Sequence, residues 1–144
     1  MQATKPQTLG VALNDSPAGL LAWIAEKYRT WSVPGALFSV FSEDDLLTIV
    51  TIYWATQTIT SSTRLYREEH LDPTPIDPVR VLLAISQPAL EEYRTPERWW
   101  RRSQPVARYT ELPDASHFPE WEAPDALARD LRAFLHAITG NRNV

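Results

Sequence analysis

The chain contains no cysteine and only four glycines, and its apolar stretches are short. The absence of cysteine excludes disulfide bonds, thiolate metal sites and cysteine nucleophiles. The longest apolar stretches, such as residues 79–85, fall far below the roughly 20 residues that cross a bilayer, so we expect no membrane span. Residues 1–10 lack the apolar core of a secretory signal, which predicts a mature, cytoplasmic chain.

The charge balance is acidic, with a formal net charge of -4. This balance argues against a nucleic-acid partner. A local basic cluster near Trp99 and Trp100 is interpreted as a solvated surface, and its members are Arg98, Arg101, Arg102 and Arg108. Because 44% of the 144 residues are hydrophobic, the chain is long enough to form a packed core.

Two helical signals stand in the first half of the chain. Ser16 before Pro17 is typical of a helix N-terminus. The apolar residues that follow recur at helical spacing: Leu20, Trp23, Ile24, Tyr28 and Trp31. Ser42 and Asp45 predict a capping box that opens a second segment reaching about Glu68. Within 48–63, branched residues favour a strand, whereas the absence of proline and glycine favours a helix, so composition leaves both open.

The second half of the chain alternates between strand and helix signals. Three prolines within residues 71–78 predict a linker, and we place a boundary at about Pro75, between segments 1–75 and 76–144. Residues 79–85 are predicted as a fully buried strand and residues 106–112 as a second strand. Two helices are expected around them: a short one capped by Thr95 with Pro96 at its first position, and a last one with the apolar stripe Leu127, Leu131, Phe134, Leu135 and Ile138, closed by Gly140.

The order strand, helix, strand, helix predicts an α/β fold with a parallel pair of strands joined by a right-handed crossover. Two parallel strands do not make a stable sheet alone, because parallel sheets are covered on both faces and along both edges. The missing neighbours would come from another chain or from a second copy of this one. The sequence therefore predicts an incomplete domain, with a homo-oligomer as one way to complete it.

Several longer stretches closely resemble epoxide hydrolases of the microsomal and juvenile-hormone type, in the α/β-hydrolase superfamily. The resemblance covers nearly the whole chain, from about Gln2 to Leu135. Matching stretches in the first half are 4–10 (TKPQTLG), 13–20 (LNDSPAGL) with Trp23, Ile24, Glu26 and Lys27, 45–48 (DLLT), 53–54 (YW), 61–62 (SS) and 64–66 (RLY). In the second half they are 95–99 (TPERW), His117-Phe118, Trp121-Glu122 and Pro124.

The resemblance implies a partial α/β-hydrolase fold from the C-terminal part of such an enzyme. Residues up to about Glu69 would form a helical cap segment, and the remainder would supply the last two parallel strands and helices of the core. This resolves the ambiguous segment at 48–63 as helix. In that family an aspartate opens the epoxide to an ester, two cap tyrosines hold the ring oxygen, and a histidine paired with an acid activates the water that hydrolyses the ester.

Three residues take these roles by position. The resemblance places His117 as the water-activating base, Glu91 as the acid that orients it, and Tyr66 as one of the two tyrosines. Glu92 is the alternative acid if the loop is shifted by one residue. Each assignment has a simpler alternative: His117 would be a surface histidine, Glu91 and Glu92 part of a solvated acidic turn, and Tyr66 a core aromatic at a helix end. Tyr53 and Trp54 are likewise interpreted as packing residues.

The chain also departs from the family pattern. The nucleophile elbow and the His-Gly-x-Pro oxyanion loop are absent from it, none of its glycines stands in a G-x-D-x-G frame, and the second tyrosine would precede Met1. Ala115 and Ser116 replace two glycines that commonly precede the base, which puts the loop geometry in doubt because they tolerate positive φ poorly. Residues 33–41 also diverge, and Gln57 stands where glycine is usual.

Three functions remain open at this point. The chain is the C-terminal portion of an epoxide hydrolase and inactive alone, or it is active by complementation with a separate N-terminal half, or it is a non-enzymatic self-associating module. The expected substrate is a small-molecule epoxide. We expect neither a cofactor nor a metal, because His70, His117 and His136 show no ligand spacing.

Overall fold

The computed structural model describes residues 1–72 and 77–140. Its elements in chain order are α1 (Pro6–Asp15), α2 (Pro17–Trp31), α3 (Leu37–Val40), α4 (Glu43–Thr56), α5 (Ile59–Leu71), β1 (Leu83–Pro88), α6 (Glu97–Ser103), β2 (Val106–Leu112), α7 (Pro119–Glu122) and α8 (Pro124–Gly140). The described residues form two compact units, a helical unit of 1–30 and 41–72 and a strand-containing unit of 31–40 and 77–140. The predicted boundary at Pro75 lies outside the described residues. Within these residues, no helix has the length and apolar character of a membrane-crossing segment.

The helical unit is built around one apolar core. Its buried members come from α1, α2, α4 and α5 and are Leu9, Leu13, Leu20, Ile24, Val50 and Ile59. Tyr53 and Trp54 pack against this core, which confirms their interpretation as packing residues. α1 approaches α5 closely at Gly10, where a Cβ atom would lie 2.3 Å from the Thr60 hydroxyl. A glycine is therefore what allows these two helices to meet.

The two predicted helix N-termini are confirmed. The Ser16 hydroxyl accepts a hydrogen bond from the Gly19 backbone N–H at 3.0 Å, and Pro17 opens α2. At α4, the Ser42 hydroxyl accepts from the Asp45 N–H at 3.1 Å, and the Asp45 carboxylate accepts from the Ser42 N–H at 2.9 Å. These reciprocal bonds form the predicted capping box and satisfy N–H groups that have no partner within the helix.

The ambiguous segment after Ser42 is helical, as the resemblance implies, but it is not one continuous element. α4 ends at Thr56 and α5 begins at Ile59. The break lies at Gln57, which has φ 55 and ψ 35 and whose backbone N–H bonds to the carbonyls at the end of α4. This left-handed conformation is the usual C-terminal stop of a helix, although glycine is the residue that adopts it without strain.

In the strand-containing unit, β1 and β2 pair in parallel, as predicted, with Leu83 opposite Val106 and Pro88 opposite Leu112. The predicted bounds of β2 are confirmed. α8 packs on both strands, and α6, which lies between them in the chain, contacts β2. The order strand, helix, strand, helix is thus confirmed. The described residues contain these two strands and no third one.

The predicted position and burial of the first strand were wrong. β1 begins at Leu83 rather than Val79, because its ladder can start only where β2 offers partners, and residues 79–82 precede that point. The strand is also not fully buried, since Gln87 is its one buried residue. Thr95 does not cap α6: Pro96 takes the cap position, without a side-chain hydrogen bond, and the helix begins at Glu97.

A buried carboxylate ties α8 to the sheet. Asp130 is 3% exposed and accepts hydrogen bonds from Ser86 of β1 at 2.6 Å, and from Thr110 and Arg108 of β2 at 2.7 and 2.5 Å. Burial raises the pKa of Asp130, but the hydrogen bonds from these three side chains outweigh it and hold the pKa below its ordinary value. The charged form of Asp130 therefore stabilises this unit.

We expect Gln57→Gly to raise the free energy of unfolding by about 0.5–1 kcal/mol, because glycine removes the strain of positive φ at the helix stop. Gln57→Ala is the matched control. It keeps the strain and loses the side-chain bond to the Trp54 carbonyl, so it should not stabilise. Urea unfolding followed by circular dichroism measures both variants. A Gly variant less stable than the Ala variant would contradict the explanation.

We expect Asp130→Asn to lower the free energy of unfolding by about 2 kcal/mol, which is less than the roughly 3–5 kcal/mol of a fully buried ion pair, because Arg108 is partly exposed. The folded pKa is depressed, so the contribution is complete above the unfolded value of about 4 and is lost as the pH falls through the folded value. Unfolding series from pH 7 to low pH should show this loss in the parent and not in the variant. Asp125→Asn, exposed on the same helix, is the control.

Candidate active site

The candidate site lies at the carboxyl ends of the two strands. Glu91 follows the end of β1, and His117 follows the end of β2. Because the strands are parallel, both loops leave the same edge of the sheet, the usual place for sites in α/β proteins. Two backbone bonds hold the loops together: the Ala89 N–H donates to the Leu112 carbonyl at 2.9 Å, and the Leu90 N–H donates to the Ala115 carbonyl at 3.0 Å.

The structure brings His117 and Glu91 together. Nδ1 of His117 lies 2.7 Å from Oε2 of Glu91. The other carboxylate oxygen of Glu91 accepts the backbone N–H of Glu92 at 3.0 Å, which orients the carboxylate. The His117 side chain is 44% exposed and that of Glu91 is 22% exposed, so the imidazole is open to a reactant while its partner is more enclosed.

This contact determines which ring nitrogen of His117 is available. An ionised carboxylate can only accept a hydrogen bond, so Nδ1 carries the proton that it donates to Glu91. In neutral imidazole the other nitrogen, Nε2, then has a free lone pair that can take a proton from water. A nearby carboxylate also stabilises the imidazolium that this transfer produces. The arrangement is therefore capable of general base catalysis.

Two further residues were predicted for the site, Glu92 and Tyr66. Glu92 is adjacent to Glu91, but its side chain is exposed and the contact with His117 is made by Glu91. Tyr66 lies on α5 of the helical unit and is 42% exposed. Its role in holding an epoxide oxygen stays a prediction.

The loop before His117 does not need glycine. Positive φ occurs, among the described residues, at Gln57 and Gly35, so Ala115 and Ser116 adopt ordinary backbone angles. Ala115 is fully buried, and Ser116 is 6% exposed. The Ser116 hydroxyl lies 2.7 Å from the Trp31 carbonyl, to which it donates. Ser116 thus adds a tether that a glycine could not supply.

Two aromatic rings flank the imidazole of His117. The Trp31 ring centroid lies 4.9 Å away with an interplanar angle of 56°, and the Phe118 ring lies 5.0 Å away, edge-on at 86°. These neighbouring rings restrict the rotation of the imidazole. Trp31 was predicted only as a member of a helical stripe, and its contact with His117 was missed.

Glu122 was also missed as a site residue. It lies in the Trp121-Glu122 stretch that carries the resemblance, and this was the available signal, but no role was assigned to it. Its carboxylate accepts the backbone N–H groups of Ser116 and Phe118, on either side of His117. Neither contact is visible from sequence spacing.

No cluster of three or more potential metal ligands occurs in residues 1–72 and 77–140.

The fold of the chain is part of an α/β-hydrolase fold, as predicted. It is similar to the structure of juvenile hormone epoxide hydrolase from the silkworm Bombyx mori, with a TM-score of 0.86 and 33% identity over 99% of this chain and 39% of that one. It is also similar to the epoxide hydrolase of Aspergillus niger, with a TM-score of 0.70 and 26% identity over 94% of this chain and 34% of that one.

The sequence comparison agrees. The chain is 38% identical to epoxide hydrolase 1 of Sus scrofa over 94% of its length, and 34% identical to the juvenile hormone epoxide hydrolase of Bombyx mori over all of it. It spans 33% and 34% of these relatives, about a third of their length. No protein-family model matches the chain. The predicted resemblance to epoxide hydrolases is confirmed over the part that the chain spans.

We expect Glu91→Gln to lower the free energy of unfolding by about 1 kcal/mol, because the carboxylate acceptor of the His117 bond is lost. The amide can also donate to Nδ1, so the ring should shift toward the tautomer protonated at Nε2. Long-range ¹H–¹⁵N spectra of the imidazole measure the tautomer. Glu92→Gln is the matched control and should leave the ring spectrum unchanged; an equal response in both variants would contradict the assignment of Glu91.

Proposed function

We propose that this chain is the C-terminal portion of an epoxide hydrolase and supplies the water-activating half of its active site. In this proposal His117 is the general base, Glu91 orients it, and Tyr66 is a phenol donor to the epoxide oxygen. The observation that supports it most directly is the 2.7 Å contact between Nδ1 of His117 and the Glu91 carboxylate. The similarity to epoxide hydrolases along nearly the whole chain supports the choice of substrate class.

The proposed reaction has two steps. An aspartate carboxylate attacks an epoxide carbon, the C–O bond breaks, and the ring oxygen takes a proton from a phenol such as that of Tyr66, leaving a hydroxy ester. Nε2 of His117 then takes a proton from water as its oxygen attacks the ester carbonyl. The tetrahedral intermediate collapses as the imidazolium of His117 gives its proton to the leaving alkoxide, which releases the vicinal diol. The proton of the resulting carboxylic acid passes to the phenolate, which regenerates the aspartate and the phenol.

The attacking aspartate is not assigned to any residue of this chain. No glycine of the 144 residues stands in a nucleophile-elbow frame. We therefore infer that these 144 residues do not turn over an epoxide by themselves, because without the ester there is nothing for His117 to hydrolyse. Activity would require an N-terminal segment, in the same polypeptide or as a separate chain, that provides the nucleophile and the oxyanion donors.

The test joins this chain to the N-terminal part of the Bombyx mori enzyme in one hybrid polypeptide. With an aryl epoxide, we expect diol from the hybrid and only the buffer rate from the 144-residue chain. In the hybrid, His117→Ala should still form the ester, seen by mass spectrometry, but should hydrolyse it about 10²–10⁴-fold more slowly, since the general base is gone.

Two results would contradict this proposal. Turnover by the 144-residue chain well above buffer would contradict its inactivity alone. Ester hydrolysis that proceeds equally fast in the hybrid with and without His117 would contradict the assigned base. His136→Ala, which removes an exposed histidine of α8, is the matched control and should leave both steps unchanged.

A self-associating module is the second candidate function. It is favoured by apolar side chains exposed in the strand-containing unit, among them Val81 at 65%, Leu82 at 56% and Leu135 at 54%. Exposed apolar patches mark association surfaces. Light scattering of the 144-residue chain used in the epoxide assay tests this candidate, because self-association would give an oligomer. A monodisperse monomer would contradict it.

A further inference from the structure

Glu122 makes an unusual set of contacts around the candidate base. It is the last residue of α7, and both of its carboxylate oxygens accept backbone N–H groups. Oε1 accepts from Val33 at 2.6 Å, and Oε2 accepts from Ser116 at 2.8 Å and from Phe118 at 3.2 Å. Ser116 and Phe118 are the immediate neighbours of His117. One carboxylate therefore holds the backbone on both sides of the histidine.

The same loop is also bonded to Trp31, the first residue of segment 31–40 of the strand-containing unit. The His117 backbone N–H donates to the Trp31 carbonyl at 3.2 Å, and the Ser116 hydroxyl donates to the same carbonyl at 2.7 Å. Val33, the third contact of Glu122, lies only two positions after Trp31. Glu122 therefore joins residues 31–33 to the loop that carries His117.

These contacts determine where the imidazole of His117 can be. Three consecutive backbone N–H groups, those of residues 116–118, are all engaged, two by Glu122 and one by Trp31. Hydrogen bonds to an ionised acceptor are shorter and stronger than neutral ones. With the backbone held, the ring has little freedom other than rotation about its side-chain bonds, which Glu91 and the Trp31 ring restrict in turn.

We propose that Glu122 is a positioning residue for His117, acting through the backbone of residues 116–118 to keep Nδ1 within hydrogen-bond distance of Glu91. The proposal rests on the proposed function, in which His117 is the base. Glu122 is not a catalytic group here, since both of its oxygens bind main-chain N–H groups. Small displacements matter for such a base, because a misplacement of about 1 Å can cost on the order of 100-fold in rate.

The first experiment uses the 144-residue chain and two variants, Glu122→Ala and Glu122→Gln. Glu120→Ala is the matched control, because Glu120 is an exposed residue of the same short helix. Hydrogen exchange reports the amides of Val33, Ser116 and Phe118, and long-range ¹H–¹⁵N spectra report the His117 tautomer. The amide of Thr110 in β2, which the register directs toward β1, reports whether the unit as a whole is intact.

In Glu122→Ala, we expect exchange of the three amides to accelerate by about tenfold or more, and the ring to lose the Nδ1–H population that bonds to Glu91. Exchange at Thr110 should change by less than about twofold. Glu122→Gln keeps one acceptor oxygen, so it should lie between Glu122→Ala and the parent. Glu120→Ala should match the parent in every measurement.

Several outcomes would overturn the proposal. One is a ring spectrum that is unchanged in Glu122→Ala although the three amides exchange faster, which would make Glu122 a purely structural residue. If the Ala variant unfolds, Glu122→Gln decides: faster amide exchange with an unaltered ring spectrum overturns the proposal, and a coupled change in both supports it.

A second experiment separates this proposal from the proposed function. In the hybrid enzyme, Glu122→Ala should slow ester hydrolysis by about 10–100-fold and change ester formation by less than about twofold, because only the second step uses His117. If hydrolysis in the hybrid does not depend on His117 at all, the proposed function fails, while the ring spectra still decide whether Glu122 positions the imidazole. If hydrolysis depends on His117 but not on Glu122, only the positioning proposal fails.

Discussion

The parallel pairing of β1 with β2 is the constraint on which the candidate site depends. Parallel strands send their following loops off the same edge of a sheet, and the register that sets Pro88 opposite Leu112 brings the two loops level. The Leu90 N–H then reaches the Ala115 carbonyl, beyond the end of the ladder. Because Glu91 follows Leu90 and His117 lies two residues after Ala115, this bond holds their backbones close together. An antiparallel pair would have placed the two loops at opposite edges.

Three carboxylates in the strand-containing unit differ in their surroundings and therefore in what they stabilise. Asp130 of α8 is buried against the sheet and accepts hydrogen bonds from side chains of both strands, so it stabilises the packing of helix on sheet. Glu122 is engaged by backbone N–H groups and fixes the course of a loop. Glu91 accepts a backbone N–H with one oxygen and contacts the His117 imidazole with the other. Burial and the identity of the donors, rather than the residue type, separate these roles.

The chain spans about a third of the length of its relatives, and its two strands have the character of part of a larger sheet. A parallel sheet is normally covered on both faces, whereas β1 is mostly half-exposed and apolar residues near it face outward. The candidate site, in contrast, is formed by residues of this one unit. The histidine, its carboxylate partner and two aromatic neighbours are assembled within one unit.

Local signals in the sequence determined the starts of α2 and α4 and much of the order of elements. Ser16 with Pro17, and Ser42 with Asp45, act through hydrogen bonds within one turn, so spacing alone predicts them. The second strand was also predicted correctly, because its apolar pattern coincides with its paired residues. The resemblance named His117 and Glu91, and it resolved the segment whose composition left helix and strand open.

The tertiary structure decided what depends on partners distant in the chain. β1 begins four residues later than its apolar run, because the ladder starts where β2 begins. Ala115 and Ser116 replace glycines without strain, since their angles are set by bonds to Leu90 and Trp31. The contacts of Glu122 with Val33 and of Trp31 with His117 join positions more than 80 residues apart. Residue type and spacing encode bonds within a turn of helix, but only the folded chain determines which distant backbone groups a carboxylate meets.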